Sequence, residues 1–319
     1  MIGPSTTFVV GAGGSDPYGL PIASTICRNA NVLDHRSPVY QLLWAAVGDV
    51  APVDRTLNDL RGHGAGSIDQ FLEHHQHNSE AMTTGKLLIA TLLGESMAAV
   101  RPGAKGARNA TDWIEHVILQ MSTGAATPAD FARGAKGVKF VTFNFDSLIE
   151  ERTAGRIRAI YSAHSDVETA VNSISVTHVH GRISDPPKEP LYKPDVFMDG
   201  YTGSGISGKW IDWTLQAASN IKIVLEEIDA ALLKQIQDTI DSADILCFLG
   251  FSYDRGNLAK LGFPKTAPNH RVTAYGSAFG LTQASRHQVQ ARLGAISIEL
   301  TGPTDRCLDL LHNKYVIRD

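Results

Sequence analysis

Six short runs of β-branched, aromatic and aliphatic residues punctuate the chain: Thr6–Val10, Val138–Phe143, Ser173–Val179, Asp244–Leu249, Arg271–Tyr275 and Ile296–Leu300. Thr6–Val10 and Asp244–Leu249, bounded by glycine or small polar residues, read as buried strands, and the other four runs as strands. Four of them end in Gly11-Ala12-Gly13, Asn144-Phe145-Asp146, His180-Gly181 and Gly250-Phe251-Ser252.

Between the first two runs, from Ser37 to about Arg133, apolar positions recur at helical spacing over Val39–Val47, Ile68–His77, Lys86–Val100 and Trp113–Met121. Glycine-rich breaks at Gly62–Gly66 and Arg101–Arg108 separate these pieces. Further helices are expected from Gly19 to about Ala30, over Ser147–Arg152, Trp210–Glu227, Ala230–Ser242 and Thr282–Leu293, and a Gly/Pro-dense loop over Ser184–Gly208. Strands alternating with helices predict an α/β fold. The expected architecture is a Rossmann-like, mostly parallel, doubly wound sheet over residues 1–35 and 136–319, with a helical insert lobe over 36–135.

Composition narrows the function classes. Of 319 residues, 43% are apolar and 19% charged, enough for a buried core and too balanced for a disordered chain. The net charge is −4 and no Lys/Arg-rich run occurs, so direct nucleic-acid binding is not expected. The longest apolar stretch falls short of the roughly 18 residues of a membrane helix. The N-terminus lacks a basic region ahead of its apolar run, unlike a signal peptide. Cys27, Cys247 and Cys307 are too few and too scattered for a disulfide framework or a zinc ribbon. A cytoplasmic protein without a metal is the expectation.

Ligands of an open α/β sheet sit outside the carboxyl ends of its strands, where the four polar endings fall. Glycines there let a backbone approach a pyrophosphate, and a following helix N-terminus offers free N–H groups to the anion. Gly11-x-Gly13 is not the usual GxGxxG, because the next glycine at comparable reach is Gly19, and an ordinary strand-to-helix turn explains it equally well. The combination is more specific. Gly11-Ala12-Gly13-Gly14-Ser15-Asp16-Pro17-Tyr18-Gly19-Leu20-Pro21 resembles the sirtuin nucleotide loop, GAGxSxxxGxP. Asn144-Phe145-Asp146 is similar to the family's NxD, and His180-Gly181 to its catalytic HG. Gly250-Phe251-Ser252 with Asn257 resembles the ribose-binding turn of the bacterial sirtuin-like branch. The four occur in family order across Phe8 to Asn257.

Two departures refine this resemblance. Sirtuin deacylases continue their first loop with Asp-Phe-Arg, where this chain has Ile22-Ala23-Ser24, and they carry a four-cysteine zinc ribbon, which this chain lacks. The chain is closer to the zinc-free sirtuin-like effectors of bacterial antiphage systems. That resemblance implies NAD as substrate, cleaved to nicotinamide and ADP-ribose, and an abortive-infection role. No sensor segment is visible in the sequence, so control is expected from a separate partner, such as a HerA-type ATPase or another phage sensor, or from a homo-oligomer. The homo-oligomer would be built partly through residues 36–135, whose apolar faces at Leu87-Leu88-Ile89 and Ile114 with Ile118 must be buried against the sheet or another subunit. The alternatives are a non-catalytic NAD or ADP-ribose module that gates a partner, and a deacylase or ADP-ribosyltransferase.

In the implied site, His180 and Asn144 are catalytic. Gly11, Ala12, Gly13, Ser15, Gly19, Asp146, Gly250, Phe251, Ser252 and Asn257 bind NAD. A histidine can take a proton from water or a ribose hydroxyl. An amide such as Asn144 can hold a water through one donor and one acceptor without titrating. Asp146 is a candidate for the nicotinamide carboxamide. His178 shares a strand face with His180 and either orients it or is structural. Glu73 with the His74–His77 cluster suggests metal ligands or a solvated helix face. Trp210 and Trp213 suggest core, and Asp16 a solvent-facing or capping carboxylate.

Overall fold

The computed structural model describes residues 4–64, 66–100, 112–192, 205–223, 226–266, 271–314 and 316–317. The expected break at 101–108 and part of the 184–208 loop lie outside them. All six apolar runs become strands: β1 (Thr6–Val10), β2 (Val138–Thr142), β3 (Ser175–His178), β4 (Ile245–Leu249), β5 (Thr273–Gly276) and β6 (Ile298–Leu300). They form one sheet in the order β3-β2-β1-β4-β5-β6, with every pairing parallel. The chain winds outward from β1 to β3, then crosses back and winds the other way from β4. This doubly wound, Rossmann-like order places a topological switch point between β1 and β4.

The chain divides into two compact units, one of residues 19–106 and 180–227, the other of 1–18, 107–179 and 228–319. The first is helical: α1 (Ala23–Asn31), α2 (Pro38–Val47), α3 (Val50–His63), α4 (Ile68–His74), α5 (Ser79–Ala99) and, from its second segment, α10 (Gly208–Asn220). Every residue of α5 from Leu87 to Gly94 is buried. Its small residues make room for large neighbours, since a side chain at Gly94 would overlap the Trp213 ring. Trp210 and Trp213 are buried and meet edge to face at 5.4 Å, as core residues do.

The second unit carries the sheet with α6 (Trp113–Ser122), α7 (Pro128–Ala135), α8 (Leu148–Ile160), α9 (Val167–Val171), α11 (Ala230–Asp241), α12 (Arg255–Lys260), α13 (Gln283–Leu293) and α14 (Cys307–Asn313). Register puts Phe8 between Phe140 and Cys247, and Val9 between Val141 and Phe248. Side chains alternate between faces. Phe8 and Phe140 stack at 5.2 Å on one side, while Val9, Val141 and Phe248 join Ile236, Leu258 and Val289 on the other. Both faces of the central strands are covered, which explains why β1, β2 and β4 read as nearly unbroken apolar runs, whereas β3, β5 and β6 are partly exposed.

Several expectations are corrected. The first helix begins at Ala23, because two 3-10 turns, Ala12–Gly14 and Asp16–Tyr18, occupy the segment after β1. α4 ends at His74, so His77 does not share a helix face with Glu73. The apolar positions Leu87, Leu88, Ile89, Ile114 and Ile118 are buried within the chain itself.

Candidate functional site

The ends of β1 and β4 meet backbone to backbone. The Gly11 N–H donates to Leu249 O at 3.0 Å and the Gly13 N–H to Gly250 O at 3.0 Å. A Cβ on Gly11 would lie 2.7 Å, and one on Gly13 2.9 Å, from Gly250 O. Gly250 has φ +57°, and a Cβ there would overlap Gly14 N and lie 2.7 Å from Gly13 Cα. No side chain fits this crossing, so the glycines are required by the sheet before any ligand arrives.

The loop spends its amides on itself. Gly14 N–H donates to Gly11 O at 2.8 Å and Ser15 N–H to Ala12 O at 3.0 Å. The expected free helix N-terminus beside the glycines is therefore replaced by a closed 3-10 turn, with Ala12 exposed on its solvent side. Three further contacts hold the turn. Trp113 Nε1–H donates to Gly14 O at 2.7 Å, Tyr18 donates to Asp112 Oδ1 at 2.6 Å, and Ser277 Oγ accepts from Gly250 N–H at 2.8 Å. Burial and the Asp112 carboxylate push the Tyr18 hydroxyl far above its ordinary range, so it stays a donor.

Beyond β2, Asn144, Ser15 and Asp146 form a directed network. Gly11 O can only accept, which fixes Asn144 Nδ2 as the atom facing it at 3.2 Å. The same Nδ2 donates to Ser15 Oγ at 2.8 Å, and Ser15 Oγ donates to Asp146 Oδ2 at 3.1 Å. Asp146 Oδ1 accepts from Leu148 N–H at 3.1 Å, at the start of α8, where the helix dipole favours an anion. Burial raises the Asp146 carboxyl above its ordinary value, while the Leu148 and Ser15 hydrogen bonds oppose the rise. Asn144 Oδ1 is buried and has no hydrogen-bond partner among the described residues. Asn144 thus offers an acceptor alone, not the donor-and-acceptor pair expected from sequence, and any ligand group meeting it must donate.

His178, at the end of β3, brings Nδ1 to 3.0 Å from Asn144 O and Nε2 to 2.8 Å from Glu150 Oε1. His180 lies two residues further on, 3% exposed, its carbonyl accepting from Lys222 N–H at 2.9 Å. Gly181 has φ +85° and a Cβ there would overlap Asn220 O, which explains the glycine after the histidine. Gly19, in the helical unit, also has φ +85°. At the β4 end, the Phe251 ring is buried against Phe143, Phe248 and Tyr253, Ser252 is exposed, and Asn257 lies in the first turn of α12. Asp16 is exposed, 3.6 Å from Arg306.

The sheet unit thus brings together Gly11, Gly13, Ser15, Asn144, Asp146 and Gly250 as the motifs suggested. Sequence reasoning missed Trp113, Tyr18, Asp112, Ser277 and Glu150. Only tertiary contact links them to the site, although Asp112 ahead of Trp113 was a readable helix-capping signal. Outside the site, His63 Nε2 and His74 Nδ1 are 2.8 Å apart. Among the described residues no group of three or more His, Cys, Asp or Glu side chains is placed to hold a metal, and no helix is long and apolar enough to cross a membrane. Comparison with protein-family models finds no matching family, and comparison with curated proteins finds no matching relative.

Proposed function

We propose that the chain is a sirtuin-like NAD glycohydrolase that releases nicotinamide and ADP-ribose, serving as the toxic effector of a bacterial antiphage abortive-infection system. The observation that carries this reading is Asn144, whose Nδ2 is held by the loop after β1, through Gly11 O and Ser15 Oγ, and whose buried Oδ1 has no partner among the described residues. A buried acceptor without a partner costs about 1–3 kcal/mol, which a donor on a bound ligand recovers. Ribose hydroxyls, the nicotinamide carboxamide and water all supply one.

In this reading the dinucleotide spans the carboxyl edge of the sheet. Its phosphates lie against the exposed Ala12 side of the Gly11–Ser15 loop, with Gly19 shaping the turn that follows. Its adenosine ribose lies near Gly250, Phe251, Ser252 and Asn257. Asp146 faces the carboxamide. The glycosidic bond breaks with its electron pair leaving on nicotinamide, and water adds to the ribose carbon. His180 accepts the proton released as water adds, and Asn144 Oδ1 orients the donor hydroxyl. No metal takes part. The three scattered, buried cysteines offer no ribbon for clamping an acyl-lysine peptide, which disfavours the deacylase alternative. Control falls to a homo-oligomer or to a partner such as a HerA-type ATPase.

The test is to incubate the purified chain with NAD, alone and with the product of the neighbouring gene, and follow nicotinamide. Release that disappears in His180→Ala and Asn144→Ala supports the enzyme. NAD binding without release under either condition replaces it with a gating module.

A further inference from the structure

His178 belongs to none of the motifs, yet both of its ring nitrogens are committed. Nδ1 faces the main-chain oxygen of Asn144 and Nε2 faces Glu150, three residues into α8. A carbonyl oxygen only accepts, so Nδ1 must carry hydrogen. In a neutral ring Nε2 is then a bare lone pair. Against a carboxylate oxygen at 2.8 Å that contact would be repulsive. One further proton must sit between them, on Nε2 or on Glu150.

We infer that the proton shared by His178 and Glu150 locks Asn144 in place, making His178 a positioning residue for the amide that meets the ligand. The lock completes the anchoring of Asn144. Its N–H donates to Thr142 Oγ1 at 3.1 Å, its Nδ2 is held by Gly11 and Ser15, and its carbonyl is held by His178. Only Oδ1 is left to a ligand. Glu150 in α8 contacts the ring, and Asp146 acts through space, its carboxyl responding to both His178 and Glu150. Neighbouring Glu151 is engaged by the Ser147 hydroxyl.

This inference rests on the reading of Asn144 as ligand-facing, and its test has a readout independent of turnover. The side-chain amide resonances of Asn144 are followed by NMR, beside kcat and KM for nicotinamide release. Glu150→Gln is the decisive variant, because a Gln amide can donate to a neutral Nε2 and needs no shared proton. In Glu150→Gln the Asn144 resonances and kcat should stay near wild type, and in Glu150→Ala both should move. His178→Ala should shift the Asn144 resonances and lower kcat by about 10²-fold, the scale of a misplaced catalytic group, with KM little changed. His178→Asn, which retains a donor near the Nδ1 position, should recover part of that loss. Asn144 resonances unmoved in His178→Ala or in Glu150→Ala would overturn the inference. A chain without NAD turnover whose Asn144 resonances still behave as described would refute the enzyme and leave the lock standing.

Discussion

Replacing Gly250 by alanine should be far more damaging than the same change at another left-handed glycine. Gly280 is the control: φ is +73° and nothing lies within 4 Å of a built Cβ. Gly280→Ala therefore costs only the left-handed backbone strain, about 1–2 kcal/mol. Gly250→Ala carries the same strain at φ +57° and adds a Cβ that overlaps Gly14 N and meets Gly13 Cα at 2.7 Å. Those are backbone atoms of the hydrogen-bonded 3-10 turn after β1 and cannot rotate away. Relief requires moving the loop, at roughly another 1–3 kcal/mol. Denaturant midpoints of the two variants and wild type give the comparison directly. Amide exchange should quicken at Gly13 and Gly14 in Gly250→Ala alone, because their bonds to Gly250 O and Gly11 O define the turn. Equal losses of stability in the two variants would refute the argument that β1 and β4 cross at van der Waals limits.

Three further outcomes are expected. Asn144→Ala and His180→Ala should each lower nicotinamide release by about 10²-fold or more while weakening NAD binding much less, as measured by initial rates and calorimetry. The Asp146 carboxyl is raised by burial, so the folded state holds a proton that the unfolded state has released. Stability from this group is therefore present near the usual Asp value of about 3.9 and is lost as pH rises toward the folded value. Asp146→Asn should gain on wild type across that interval, and parallel stability curves for the two proteins would refute it. Chelator treatment should leave both nicotinamide release and the denaturation midpoint unchanged, and a loss restored by zinc would reinstate a metal.

β1 and β4 were legible because burial on both faces removes the alternation that hides a half-exposed strand among loops, while β3 and β6, which alternate and are partly exposed, were legible from their β-branched residues. Helices were less so. Val50–His63 escaped notice although Asp49 caps it and Pro52 sits harmlessly in its first turn, and Pro128–Ala135 opens with a Thr127–Asp130 capping box. Both combine a start signal with a short apolar stripe, Val53, Leu57 and Leu60 in one and Pro128, Phe131 and Ala135 in the other, set among polar and small residues. The site's residues were named by motif, but spacing carries no hydrogen-bond direction. That Asn144 donates twice internally and keeps only its acceptor depends on Gly11 O and Ser15 Oγ, more than a hundred positions away in the chain. The glycines also changed meaning. Gly11 and Gly13 suggested room for a ligand, and they first make room for Gly250. Gly13→Val therefore tests folding as much as binding.

The position of β1 has a consequence for biosynthesis. Of the sheet's six strands β1 is made first although it lies inside the sheet, and Phe8 waits for Phe140 on one side and Cys247 on the other. At about 5–20 residues per second of translation, the segment Thr6–Val10 stays without its second neighbour for roughly 10–50 s. During that interval an uncharged, β-branched stretch is available to any other exposed strand, and nascent chains on adjacent ribosomes present the same one. Newly made protein should therefore depend on holding chaperones for yield far more than its finished stability would suggest. Loss of the first ten residues would leave β3-β2 and β4-β5-β6 as two separate ribbons with no strand to join them.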